Sequence, residues 1–221
     1  WWKLAEKMLD FAVSDSGGKS IPQLPCIGGS ADTLATMRGS ENLLYDLMDN
    51  AEAVKKFDLH FTKLWLKVYE KFYKPLEKPA EGSTAWLPLW APGRYYPLMN
   101  DFSYMISPAM FRDVFLESLA VQADSLDFSI YHVDGVNAFP HVDALCELSG
   151  LNALQILPGD GKPGALHYMD VLKKVQKAGK NLQIFLEAGE VEAALDKLSS
   201  KGLMIYTSCA SEEEAKALLK K

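Results

Sequence analysis

Apolar residues recur along the chain first at a helical period and later in short runs separated by helical stretches. Trp1–Val13 is apolar at Trp1, Leu4, Ala5, Met8, Leu9 and Ala12, one face of a helix. Ser14-Asp15-Ser16-Gly17-Gly18 ends it. Ile21–Ile27 is an apolar run interrupted by Pro22 and Pro25, read as an irregular strand entering the loop Gly28-Gly29-Ser30. A helix is expected from about Asp32 to Gly39. Ser40 is placed to cap the next one, a long helix to about Tyr73 with Leu43, Leu47, Val54, Phe57, Phe61, Leu64, Trp65 and Val68 among its apolar positions. Asn50 marks a break between two helices, and Pro75 and Pro79 are expected to end the region.

The segment Thr84–Met99 holds Trp86-Leu87-Pro88-Leu89-Trp90 and then Arg94-Tyr95-Tyr96-Pro97-Leu98-Met99. Its prolines disfavour a central strand, except for a short piece at Tyr96–Asn100. Ser107-Pro108 reads as an N-cap followed by proline at the first helical position, opening a helix to about Ala123. From there the pattern is regular. Strands are expected at Ser129–Val133, Ala153–Leu157, Leu182–Leu186 and Leu203–Thr207. Helices are expected at about Pro140–Leu148, Ala165–Ala178 and Glu190–Ser199, with a last one opening at Ser211 on a capping box with Glu214. Strand starts roughly 20–30 residues apart predict parallel strands joined by crossover helices. The strands are nearly all apolar, as expected when both faces are covered.

Two architectures fit this alternation: an open doubly wound sheet, or part of a (β/α)8 barrel. No GxGxxG follows a first strand and no GxxxxGK[ST] occurs, which lowers the nucleotide-binding options. About six strands are expected, where a whole barrel has eight and typically about 250 residues. The expected fold is therefore α/β, a single (β/α)8 TIM-type barrel domain over residues 1–221 that lacks its amino-terminal strands. The start at Trp1, in the middle of an amphipathic helix, is read the same way.

The chain has 221 residues, 48% hydrophobic and 24% charged, with a mean hydropathy of −0.06. That is ordinary globular composition. The net charge is −6 and no basic stripe occurs, so nucleic acid is not an expected partner. No apolar run reaches the roughly 18 residues a membrane helix needs, and no secretory leader is visible. Cys26, Cys146 and Cys209 are few, odd in number and far apart, which fits a reducing cytoplasm better than a disulfide framework.

Ligands of parallel α/β folds bind at the carboxyl ends of the strands. His132 and Asp134 stand two apart at one such end, so their side chains point the same way, and Gly135 allows a sharp exit. Asp101, Gln155, Glu187 and Cys209 stand at the other ends. His, Asp, Glu and Cys thus converge on one rim, as general acid–base groups or as metal ligands. The candidate catalytic residues are His132, Asp134 and Asp101. The candidate substrate-binding residues are Gln155, Tyr131 and Arg94. The candidate metal ligands are His132, Asp134, Glu187 and Cys209. Each has a plainer reading: a hydrogen-bonded loop residue, a helix start at Glu190, or a buried inert thiol. Cys146 reads as core, His141 as a cap or surface residue, and His60 and His167 as surface. Trp86, Trp90, Tyr95 and Tyr96 read as packing or as a pocket wall.

Several segments together resemble the uroporphyrinogen decarboxylase superfamily, which includes the decarboxylase of tetrapyrrole synthesis and the corrinoid-linked methyltransferases. They are Gly28-Gly29-Ser30-Ala31-Asp32-Thr33-Leu34-Ala35, Met105-Ile106-Ser107-Pro108-Ala109-Met110-Phe111, Tyr131-His132-Val133-Asp134-Gly135, Leu154-Gln155-Ile156-Leu157-Pro158-Gly159 and Ala178-Gly179-Lys180. The resemblance implies a (β/α)8 barrel and an enzyme acting on a small molecule. Its zinc methyltransferases hold zinc through His-x-Cys at a strand end and a distant Cys. Here His132 would be the histidine, Asp134 replaces the middle cysteine, Cys209 stands near the distant one, and Glu187 is a further candidate. The resemblance so implies methyl transfer between a small substrate and a corrinoid carried by a partner protein, with zinc assisting. The alternatives are a metal-free decarboxylase of an acidic or tetrapyrrole substrate, and a non-catalytic binding barrel. The decarboxylase needs cations, and of Arg38, Arg94 and Arg112 only Arg94 stands in a loop able to face a pocket.

Overall fold

The computed structural model describes residues 1–87 and 89–220, so Pro88 and Lys221 lie outside it. Helices α1 (Trp2–Ser16), α2 (Ser30–Arg38) and α3 (Ser40–Ala80) come first. Asn50 breaks α3 as expected: its backbone leaves the helical region at φ −155°, and its Oδ1 accepts the Ala53 N–H at 3.2 Å, restarting the helix. Gly39, not Ser40, is the N-cap, at a φ of 85° that suits glycine. The helix also runs through Pro75 and Pro79 to Ala80, past its expected end. Pro75 removes one backbone hydrogen bond, but Phe72, Tyr73 and Leu76 around it are all buried, and that burial outweighs the loss.

The strands are β1 (Ser83–Thr84), β2 (Trp90–Ala91), β3 (Tyr95–Met99), β4 (Phe128–Asp134), β5 (Ala153–Leu157), β6 (Asn181–Phe185) and β7 (Leu203–Tyr206). β1 and β2 form a two-residue antiparallel pair, while β3 to β7 form one parallel sheet in the order β3-β4-β5-β6-β7. Among the described residues, five parallel strands stand where about six are expected. Ile21–Ile27 is not a strand, because Pro22 and Pro25 remove ladder donors, although Leu24 N–H still reaches the Thr84 carbonyl at 2.8 Å.

Helices lie in the crossovers: α4 (Pro108–Met110), the π turn Phe111–Phe115 and α5 (Leu116–Asp124) before β4, then α6 (Val142–Glu147), α7 (Met169–Lys177) and α8 (Val191–Lys197). The last helix, α9 (Glu212–Leu218), follows β7, with Ser211 Oγ accepting the Glu214 N–H at 3.2 Å. Short 3-10 turns at Asp101–Met105, Val136–His141, Ala165–Tyr168 and Ala188–Glu190 open several connections. Among the described residues, no helix is long and apolar enough to cross a membrane.

Chain order and sheet order coincide, so no point exists where the winding reverses, as a doubly wound sheet requires. With crossovers of one hand, such an order puts every crossover helix on the same face. That face carries Tyr131, Val133, Leu154, Ile156, Leu182 and Ile184, all buried. The opposite face carries His132, Gln155 and Gln183, and Leu87 and Leu89 line a cavity over it beside Gln183. Polar residues inside apolar strands are thus the mark of a face that no crossover helix covers, contrary to the expected double cover.

Leu154 sits mid-sheet and is fully buried. Leu154→Ala is expected to cost about 2–5 kcal/mol of unfolding free energy in urea melts. A loss below about 1 kcal/mol would show that the helix-covered face is not close-packed.

Candidate functional site

Three sequence candidates meet at the carboxyl end of β4. His132 and Asp134 share a face of the strand, and His132 is in register with Met99 of β3. Asp101 follows two residues after Met99, opening the 3-10 turn. One ligand atom from each of Asp101, His132 and Asp134 lies within 4.8 Å of the others. His132 Nε2 is 3.9 Å from Asp134 Oδ2; the imidazole is 13% exposed and the carboxylate 46%. The cluster therefore reaches from solvent into the sheet. Trp86 meets the imidazole edge to face, with ring centres 5.3 Å apart.

Gly135 turns the chain out of β4 at a φ of 84°. Any larger side chain would overlap the Tyr104 ring, which a Cβ at Gly135 would meet at 2.6 Å. Beside this turn a cavity of about 690 Å³ opens, lined by Tyr104, Asp134, Asp160, Lys162 and Phe185 among others. Asp134 belongs to both the cluster and the cavity wall, so a molecule in the cavity reaches the cluster directly.

Asp32, in the sequence a helix start and part of the Gly28–Ala35 segment but not among the site candidates, is a further member of the site. From the first turn of α2 its two carboxylate oxygens accept the Asp101 N–H at 2.9 Å and the Phe102 N–H at 2.8 Å. It thereby fixes the backbone that carries Asp101. Burial pushes the Asp32 carboxyl up, against the opposing backbone N–H groups of Phe102 and Asp101 and the His132 ring. Burial also pushes Asp101 up, helped by the charges of Asp32 and Asp134 and opposed by His132. Three carboxylates around one imidazole leave an excess of negative charge that favours a cation.

Below Asp32 lies a buried polar link. Asp58 of α3 accepts from the Ser118 hydroxyl and from Ser30 Oγ, the latter at 3.4 Å. Ser30 in turn accepts from Asn100 Nδ2 at 3.4 Å, and Asn100 Oδ1 takes the Ser103 N–H at 3.2 Å. Ser30 holds a φ of 40°, a left-handed conformation that costs a non-glycine residue about 1–2 kcal/mol. Asp58 was legible as a polar residue on a buried stripe: Val54, Asp58, Thr62, Trp65 and Tyr69 are all buried at helical spacing. Phe57 and Leu64, also among the apolar positions of this helix, lie off that stripe and are exposed.

Other candidates lie elsewhere. Arg94 precedes β3, at the amino end of the sheet opposite the cluster. It pairs with Glu70 at 2.9 Å and lies over the Tyr73 ring, so its charge is already used. Tyr131 points to the face opposite His132 and is 2% exposed. Glu187 caps a turn: it forms a reciprocal capping box with Glu190, whose Oε2 accepts the Glu187 N–H at 3.0 Å. Among the described residues the cluster contains neither Glu187 nor Cys209. Gln155 does join the site, bonded to His132 Nδ1. His141, expected at a cap or on the surface, is buried: its Nε2 meets the Ser103 carbonyl at 2.9 Å and its ring stacks on Phe111. Burial pushes its pKa down, against the Ser103 carbonyl. Tyr95 and Tyr96 are core, while Trp90 is half exposed.

No family model matches the chain, and no curated protein or solved structure does. The fold and the site therefore stand on their own geometry.

Burial pushes the Asp58 carboxyl from its ordinary 3.8 up to about 7, against the Ser118 and Ser30 hydroxyls. The folded state then holds a proton that the unfolded chain releases. Its contribution to stability is complete below the unfolded value, falls by about 1.4 kcal/mol per pH unit between the two values, and is gone above the folded one. Asp58→Asn is expected to remove this slope. Urea melts at several pH values across that interval check it; an unchanged slope in Asp58→Asn would assign it to other groups.

Proposed function

We propose that this chain is a small-molecule enzyme of (β/α)8 type, resembling the uroporphyrinogen decarboxylase superfamily, with Asp101, His132 and Asp134 at its centre. The five strands in unreversed order are what a sector of such a barrel has. The single observation that carries the reading is the convergence of the three ligand atoms at the carboxyl ends of the strands, beside a cavity.

The thiolate set that the resemblance implies does not fit, because Asp134 replaces one cysteine and Cys209 lies outside the cluster. An imidazole with two carboxylates does fit a divalent ion such as zinc. Zinc–nitrogen and zinc–oxygen bonds of about 2.0–2.2 Å allow two donors to stand up to about 4.2 Å apart. The 3.9 Å between His132 Nε2 and Asp134 Oδ2 falls inside that limit. A bound zinc would supply Lewis acidity, polarising the heteroatom of a methyl donor. Asp32 would hold Asp101 in place, Trp86 would fix the imidazole ring, and the cavity beside Asp134 would seat the substrate. Methyl transfer to or from a corrinoid on a partner protein follows from the family resemblance.

The decarboxylase alternative wants cations around an acidic substrate. Each of the three arginines is already paired with a carboxylate, Arg38 with Asp46, Arg94 with Glu70 and Arg112 with Glu147. The cluster itself is anionic and would repel a polycarboxylate.

Titration calorimetry with zinc chloride is expected to give one bound ion per chain. His132→Ala should weaken it by at least about tenfold. A native protein that binds no zinc would exclude the metal-assisted route. Retention of methyl transfer by His132→Ala would exclude the histidine from it.

A further inference from the structure

His132, Gln155, Gln183 and Met204 stand opposite one another on four adjacent strands, in continuous register. Hydrogen bonds run along this row. Gln183 Nε2 donates to Met204 Sδ at 3.4 Å, Gln155 Nε2 donates to Gln183 Oε1 at 2.7 Å, and Gln155 Oε1 meets His132 Nδ1. Gln155 and Gln183 are 1% and 3% exposed, so bulk water does not compete for the bond between them, while Met204 at the end of the row is 43% exposed.

The last member sets the direction of the row. A thioether sulfur has no proton to give. Gln183 therefore turns its amino group toward Met204 and its carbonyl oxygen toward Gln155. Gln155 answers with its own amino group, which leaves its oxygen for His132. Only a ring nitrogen that carries a proton satisfies that oxygen. We propose that Gln155 and Gln183, polarised by Met204, are positioning residues that hold His132 as the Nδ1–H tautomer. Nε2 is then a bare acceptor facing another acceptor, Asp134 Oδ2, at 3.9 Å. Two acceptors face to face repel unless a cation or a substrate proton lies between them. The amide row thus prepares the imidazole as a ligand or base from a distance. The tautomer is a property of the fold; its use as a ligand rests on the metal reading above.

Two-bond proton–nitrogen NMR spectra of protein carrying nitrogen-15 histidine, recorded without metal at mildly alkaline pH, read the tautomer. His132→Ala assigns the signals. The native protein is expected to show protonated Nδ1 and bare Nε2 at His132. Gln183→Leu frees Gln155 to rotate, and the second tautomer is expected to appear. Gln183→Glu still accepts from Gln155 and is expected to keep the native tautomer. If Gln183→Leu does not fold, as judged by circular dichroism, Met204→Leu makes the same comparison by removing only the terminal acceptor. A native Nε2–H tautomer overturns the proposal, and so does an unchanged tautomer in whichever of these two leucine variants is read. Failure to bind zinc would leave these signals in place, so the two readings fail separately.

Discussion

The in-register parallel pairing of β3 to β7 is the constraint on which the rest of the molecule depends. Because side chains alternate with a period of two, one register places Tyr131, Leu154 and Leu182 on the helix-covered face and His132, Gln155 and Gln183 on the other. A slip of one residue on β4 would bury Asp134 and His132 among helices and expose Tyr131 and Val133. The apolar burial on the covered face therefore holds the polar row in place on the uncovered one. The winding that never reverses adds to this, since it gathers the crossover helices on one side and leaves the other free for chemistry.

The site is built in layers that decrease in polarity demand from rim to interior. At the rim, Asp101 and Asp134 face solvent, where charge is tolerated. Beneath them Asp32 satisfies two backbone N–H groups and pins the 3-10 turn. Deeper still, Asp58 ties α3 to the Ser30 turn and to Asn100, at the end of β3. Burial pushes Asp32, Asp58 and Asp101 upward together. That common direction follows from desolvation, the first cause at all three.

The sequence candidates that left the site did so for identifiable reasons. Arg94 sits in a loop that enters β3 instead of leaving it, so the residue lies at the far end of the sheet from the cluster and finds Glu70. Tyr131 neighbours His132 in sequence, but adjacent strand residues point apart, so the two lie on opposite faces of the sheet. Glu187 matched a ligand type, yet its spacing to Glu190 is that of a capping box, a local arrangement that satisfies it without a metal. His141 followed a helix start in sequence, and only the packing of Phe111 against it showed it to be interior.

Local patterning determined the alternation of strand and helix from Phe128 onward, the strands at Ala153–Leu157 and around Ile130, Ile184 and Ile205, the break at Asn50 and the pairing of His132 with Asp134 on one strand end. These are short-range properties, set by side-chain period and backbone capping within a few residues. Tertiary structure alone decided that Asp32 reaches Asp101 across 69 positions of chain, that Gln155 and Gln183 bridge His132 to Met204, and that Asp58 lies beneath the site. Those contacts exist only once the strands are paired in register and the helices packed, because each joins groups that no local period brings together.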